Sequence, residues 1–296
     1  MIYLTNIHKC YGPKVLFDNV SWHLGQGEKV ALVGDNGMGK STLFKIILGL
    51  ERQDSGKVVL RKGARAAMIA QDLEDNEEMV LERVVSGDEY FMATRERMES
   101  LEKDQAFHQR DPEKWSREYG HAQHEFESFD GYEREAKAKT ILAGLGFRED
   151  HWSKPLNTFS GGWRMRVELA RLLLLNPDIL LLDEPSNHLD LESVVWLESF
   201  LKKYDGSILL ISHDRSFING LANKIAHLDC GKLTVYTGNY DAFEKLKKER
   251  ELHLEKTAAN QQKRIDEIER FIERFRAKNT KATQAQSRIK QLAKLD

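Results

Sequence analysis

An α/β domain with a buried, largely parallel sheet, a charged helical insertion and a trailing helical hairpin is the fold class that the sequence predicts. Short β-branched and leucine-rich runs recur at 29–34, 57–60, 179–183, 207–212 and 224–228, separated by helical or turn-rich stretches. That rhythm is the signature of parallel strands covered by helices. Between Asp72 and Pro155 the chain turns charged and glutamate-rich, with Met98, Leu101, Phe107, Trp115, Tyr119 and Phe126 at helix-like intervals, as in a helical subdomain carrying an arm. From Tyr240 onward, Ile265, Ile268, Ile272 and Phe275 alternate steps of three and four, as the seam of a helix pair would, and Ile289, Leu292 and Leu295 read as the returning helix. The expected organisation is a domain over 1–240, its helical subdomain and arm at about 73–175, and a basic helical linker over 241–296.

The 296 residues suffice for a large buried core. Charged residues make up 31% of the chain, yet the formal net charge is only −2, so overall charge selects no partner. Cys10 and Cys230 are the only cysteines and share no paired spacing, which argues against a disulfide scaffold or zinc site and for a reducing cytoplasm. The first residues, MIYLTNIHKCYG, lack the pattern of a secretory signal and enter a strand directly. The most apolar segment, Leu169 to Leu182, is broken by Arg171, Asn176, Pro177 and Asp178, short of the ~20 continuous apolar residues a membrane span needs. No segment is expected to cross a bilayer, and no internal repeat is visible.

The strand ending at Val33 runs into Gly34, Asp35, Asn36, Gly37, Met38, Gly39, Lys40, Ser41 and Thr42, a phosphate-binding loop, and an apolar helix follows from Leu43. Glycines let backbone N–H groups turn inward on phosphates, and the helix N-terminus adds partial positive charge. Lys40 is placed to reach the terminal phosphates and Ser41 to ligate magnesium. Glycine-rich turns before helices are common, but few end in Gly-Lys-Ser.

Ile179 to Leu182 form a second buried strand, ending in Asp183 and Glu184 and followed by PSNHLD. The carboxyl end of a parallel strand faces the ligand crevice, so Asp183 can hold a metal shell while Glu184 orients and deprotonates water. A solvated acidic turn is the plain alternative. Between the two motifs, Ser160, Gly161 and Gly162 open a helix that ends before Pro177, which on its own is an ordinary helix start.

Taken in order, the phosphate loop, FSGGW, LLLLDEPSNHLD and ISHD resemble the motif set of ATP-binding-cassette ATPases. The resemblance implies ATP and Mg2+ as ligands. It also implies that Ser160 to Gly162 contact the γ-phosphate held by a second cassette, so that each site is composite. By the same resemblance Gln71 senses magnesium and the attacking water, Tyr11 stacks on adenine, and His213 is the switch histidine. His188 and Asp190 resemble the segment through which paired cassettes communicate.

Three features resemble the F branch of that family: Trp163 with RMRVELARLLL, the charged insertion, and TGNYDAFEKLKKER leading into a basic hairpin. Ser186 stands where the family usually has threonine, which keeps the hydroxyl. The branch implies action at the ribosomal tRNA exit site, with rRNA and tRNA as partners. The tip between the two linker helices carries Arg276, Lys278, Lys281, Arg288 and Lys290 without an acidic residue among them, a pattern suited to counterion release from RNA phosphates. A solvated coiled-coil tip is the plain alternative. Only one motif set is present, so a second cassette is expected from another chain or from sequence beyond Asp296. The competing reading is an ATPase subunit of a membrane transporter, which the basic hairpin fits poorly.

Overall fold

The computed structural model describes residues 1–69 and 77–275. In chain order these form β1 (Ile2–Tyr11), β2 (Lys14–Leu24), β3 (Lys29–Val33), α1 (Lys40–Ile47), β4 (Ser55–Leu60) and β5 (Ala66–Met68). The helical stretch follows with α2 (Val80–Val85), α3 (Glu89–Lys103), α4 (Gln105–Arg110), α5 (Pro112–Ser128), α6 (Arg134–Gly144) and α7 (Gly161–Leu175). Then come β6 (Ile179–Asp183), α8 (Leu191–Lys202), β7 (Ser207–Ile211), α9 (Arg215–Leu221), β8 (Lys224–Asp229), β9 (Lys232–Thr237) and α10 (Tyr240–Phe275). Two compact units divide the chain, Met1–Tyr240 and Asp241–Asp296.

A six-stranded sheet runs in the order β5-β6-β7-β3-β8-β9, parallel except for the edge strand β9. Its central strands are buried on both faces, and the continuous apolar runs of the sequence reflect this. A separate antiparallel sheet, β2-β1-β4, contains the 57–60 run, which the rhythm of the sequence groups with the parallel strands. The reason is local: β4 alternates between half-buried and exposed positions, the habit of a strand with one face open to water. Leu43, Phe44, Ile46 and Ile47 of α1 join one hydrophobic core with Ile2, Phe17 and Leu24 from this sheet and Ile179, Leu209 and Leu228 from the other. The helix after the phosphate loop is therefore held between two sheets.

The arm is an antiparallel pair, α3 and α5, with a small core of its own: Phe91, Met98, Ala122 and Phe126, flanked by Leu101 and Tyr119. Phe91 and Phe126 stack at 5.5 Å, and Trp115 stacks on Tyr119 at 4.9 Å while its indole N–H donates to the Leu101 carbonyl. Asp88, Asp104 and Asp111 cap α3, α4 and α5 by accepting backbone N–H bonds.

Glu168 on α7 is buried, and its carboxylate accepts from Arg83 of α2 at 2.8 Å and from Arg171 at 2.7 Å. Removing it as Glu168→Ala leaves two guanidiniums without their shared anion. Both arginines are partly exposed, so the cost is about 2 kcal/mol, below the ~3–5 kcal/mol of a wholly buried pair. A thermal melt should show the midpoint falling by roughly 4–8 °C; an unchanged midpoint would remove this bridge from the forces holding α2 to α7.

Candidate functional site

Strands β6, β7 and β3 are neighbours, so their carboxyl ends deliver three chain segments to one place: Asp183 and Glu184, His213, and the loop 34–42. A cleft of about 460 Å3 there is lined by Tyr11, Lys14, Leu16, Asn36, Gly37, Gly39, Lys40, Ser41, Thr42, Asp183, Glu184, Ile211 and His213.

Backbone constraints shape the loop. Gly34 has φ +155°, and a Cβ there would sit 2.3 Å from the Leu228 carbonyl oxygen, so no other residue fits. Gly39 precedes α1 at φ +100°, a left-handed conformation that leaves the helix start without a side-chain cap. The Lys40 ammonium donates to the carbonyls of Gly34 at 2.7 Å and Asp35 at 3.1 Å. Gly34, Asp35 and Met38 do not line the cleft; Met38 packs instead against the core beneath.

Glu184 is a non-glycine residue at φ +50°, a strained conformation of the kind that clusters at functional sites. Its own N–H donates to the Ile211 carbonyl at 2.9 Å, which fixes it to the end of β7. One carboxylate oxygen accepts from the His213 backbone N–H at 3.2 Å. The other is buried without a hydrogen-bond partner among the described residues and lies 3.5 Å from His213 Nε2. Burial pushes the carboxyl above its ordinary range; the His213 amide and imidazole oppose this, and Asp183 reinforces it. A carboxylate so placed is a stronger base than one in water.

At the cleft's rim, Tyr11 is about half exposed, its hydroxyl donates to Glu51, and the Lys9 ammonium sits 5.0 Å from its ring centroid. The ring is thus held in place by Glu51 and Lys9. Ser160, Gly161 and Gly162 do not line this cleft. They start α7, with Ser160 and Gly161 exposed and the Ser160 hydroxyl making no cap bond. Gln71 lies outside the described residues, as do Arg276, Lys278, Lys281, Arg288, Lys290, Ile289, Leu292 and Leu295. Lys14 and Leu16 escaped notice in the sequence because nothing about a strand start after Pro13 marks it as facing a phosphate loop.

Ser41 and Asp183 offer a hydroxyl and a carboxylate, hard oxygen donors that suit Mg2+. Among the described residues no group of three or more His, Cys, Asp or Glu is placed to hold a metal ion. The Ser41 hydroxyl and the Asp183 carboxylate, both lining the cleft, fit a hard divalent cation such as Mg2+.

A family model described as ABC transporter matches residues 17–187, across the phosphate loop, the Ser-Gly-Gly segment and the Asp-Glu strand. The chain belongs to the ATP-binding-cassette family. A second model of the same description matches residues 226–296. The probable ATP-binding protein YheS of Escherichia coli strain K12 is 37% identical over 300 residues, covering 100% of this chain and 45% of that protein. The human ATP-binding cassette sub-family F member 3 is 35% identical over 295 residues, covering 99% of this chain and 40% of its own length. These likenesses make this an F-type cassette, and the chain spans less than half the length of these relatives. The dimeric bacterial ABC transporter cassette MJ0796 superposes with a TM-score of 0.57 at 23% identity, over 80% of this chain and 98% of that one. Its post-hydrolysis form, bound to ADP and Pi, gives 0.56 at 22% identity with the same coverage. At that identity the structural likeness concerns the fold alone. No described helix is long and apolar enough to cross a membrane.

Proposed function

We propose that this cassette hydrolyses ATP to ADP and phosphate with Glu184 as the base, and that it does so as part of a cytoplasmic F-type protein acting on ribosomes. The observation that carries the hydrolytic half is the convergence in one cleft of Lys40, Ser41, Asp183, Glu184 and His213, with the Glu184 carboxyl raised by burial. Lys40 and the inward N–H groups of loop 34–42 bind the β- and γ-phosphates, and Tyr11 stacks on adenine. Ser41 and Asp183, and Gln71 as the family resemblance implies, would hold Mg2+, which when bound would neutralise charge on the phosphates. Glu184 orients the attacking water and takes its proton, its carboxyl raised by burial. His213, fixed by its amide to Glu184, contacts the γ-phosphate as the switch histidine. Ser160 to Gly162, which do not line this cleft, complete the site of a second cassette, and full turnover requires both.

The ribosomal half rests on the F-type likeness over the whole chain and on the tip at Arg276, Lys278, Lys281, Arg288 and Lys290, whose unopposed charge suits rRNA and tRNA phosphates. The same likeness speaks against a transporter subunit docked on a membrane protein. Two measurements test the reading. Phosphate release from ATP should rise on adding ribosomes, and stimulation by membranes alone would return the transporter reading. Neutralising the five tip residues should weaken RNA binding and flatten its log-log salt slope by about 0.7–0.9 for each phosphate no longer neutralised. An unaltered slope would reduce the hairpin to a strut.

A further inference from the structure

Arg166 lies in the second turn of α7, 8% exposed, and takes no part in the chemistry described above. Its guanidinium makes three hydrogen bonds to two different segments. Nε donates to the His188 carbonyl at 2.7 Å, and Nη1 donates to the Leu145 carbonyl at 3.0 Å and to Asp190 Oδ2 at 2.9 Å. The group also stacks over Trp163, 4.6 Å from the ring centroid. Gly146, at φ +89°, makes room for it, because a Cβ there would come within 2.9 Å of Nη1.

Two of those acceptors belong to the loop that leaves Glu184. That loop is short and made of consecutive turns: the Asn187 N–H donates to the Glu184 carbonyl and the Leu189 N–H to the Ser186 carbonyl. At its far end Asp190 caps α8 by accepting from the Ser193 N–H at 2.9 Å. Arg166 and that amide together hold the Asp190 carboxyl down to about 2, with the amide the larger influence. At the helix start, His188 lies close enough that a Cβ on Gly162 would be 3.6 Å from its Nδ1. The loop after Glu184 and the first turns of α7 therefore form one body.

We propose that Arg166 is a positioning residue, locking the loop after Glu184 to the helix that carries Ser160 to Gly162 and so setting where the Glu184 carboxylate stands. The inference rests on reading Glu184 as the base. A planar fork with fixed donor directions is needed to reach a carbonyl on one side and a carbonyl with a carboxylate on the other; an ammonium cannot do this. Because Glu184 is already strained in the left-handed region, a loop released at its far end lets it relax away from the water it must deprotonate.

The test compares the unaltered chain with Arg166→Lys, which keeps the charge and most of the stem, and Arg166→Ala. Three quantities are read: ATP affinity by direct binding, phosphate release at saturating ATP, and amide hydrogen exchange over 185–190. The expected result for Arg166→Lys is near-normal melting and ATP affinity, a kcat lower by about 10–100-fold, as for a catalytic group misplaced by an ångström, and faster exchange at Asn187 and Leu189. Arg166→Ala should show the same kcat loss with a lower melting temperature. If Arg166→Lys restores kcat together with stability, or if exchange over 185–190 is unchanged, the positioning role is overturned and Arg166 is only a packing residue. Should the unaltered chain release no phosphate even with a second cassette present, the hydrolytic reading fails separately. Exchange in Arg166→Lys then decides the lock alone: faster exchange with ATP affinity intact supports it, and unchanged exchange overturns it.

Discussion

Lys40→Ala should abolish nucleotide binding. The ammonium donates to the Gly34 and Asp35 carbonyls of a loop whose backbone is fixed by Gly34 and Gly39, and it is the one lysine of the 34–42 segment. Each hydrogen bond to a charged group is worth about 1.5–3 kcal/mol, and a lysine that bridges two phosphates makes at least two. ATP affinity should fall at least ~100-fold, read by titration with a fluorescent ATP analogue. The fold should hold, since Lys40 is half-buried at the helix start and the α1 core residues are untouched. Unchanged affinity would sink the assignment of this loop.

Glu184→Gln should separate binding from turnover. Loss of a general base costs on the order of 10²–10⁴ in rate, while the phosphate loop is left as it was, so ATP should remain bound and unhydrolysed. The pH dependence follows from the raised carboxyl. Phosphate release by the unaltered chain should climb with pH along an acid limb displaced above the usual 4.5 of a glutamate, and the variant should lack that limb. Stability carries the opposite sign. A carboxyl whose folded pKa exceeds its unfolded one holds its proton longer in the fold, so stability falls as pH rises through the interval between the two values. Glu184→Gln removes that penalty, and its thermal midpoint should exceed that of the unaltered chain at neutral pH and converge with it in acid. An equal midpoint at neutral pH would contradict the buried, unfavourable charge inferred at this position.

How far the site could be read in advance depended on whether its residues announce themselves locally. The loop 34–42 and the Asp183-Glu184 pair do so because glycine, lysine and paired acids at a strand end have few structural uses. The continuous apolar strands β3, β6 and β7 were legible for the related reason that burial on both faces forbids polar alternation. The antiparallel sheet was harder. It joins β1 to the distant β4, its β1–β2 pairing carries several bulges, and the half-exposed β4 looks like any short apolar run. Arg166 was hidden too. In RMRVELARLLL it reads as one charge of an amphipathic helix, and only the fold shows that it faces Leu145, His188 and Asp190. Lys14 gave no signal because its nearness to Gly37 is made by a hairpin, not by sequence spacing.

The central claim is that ATP governs engagement of ribosomes by this cassette, and co-sedimentation of the Glu184→Gln chain with ribosomes, with and without ATP, tests it most directly. The account predicts pelleting that depends on ATP and is lost when Lys40→Ala is added. Absence of pelleting with ATP binding intact would contradict it and leave a nucleotide-binding cassette whose partner lies elsewhere.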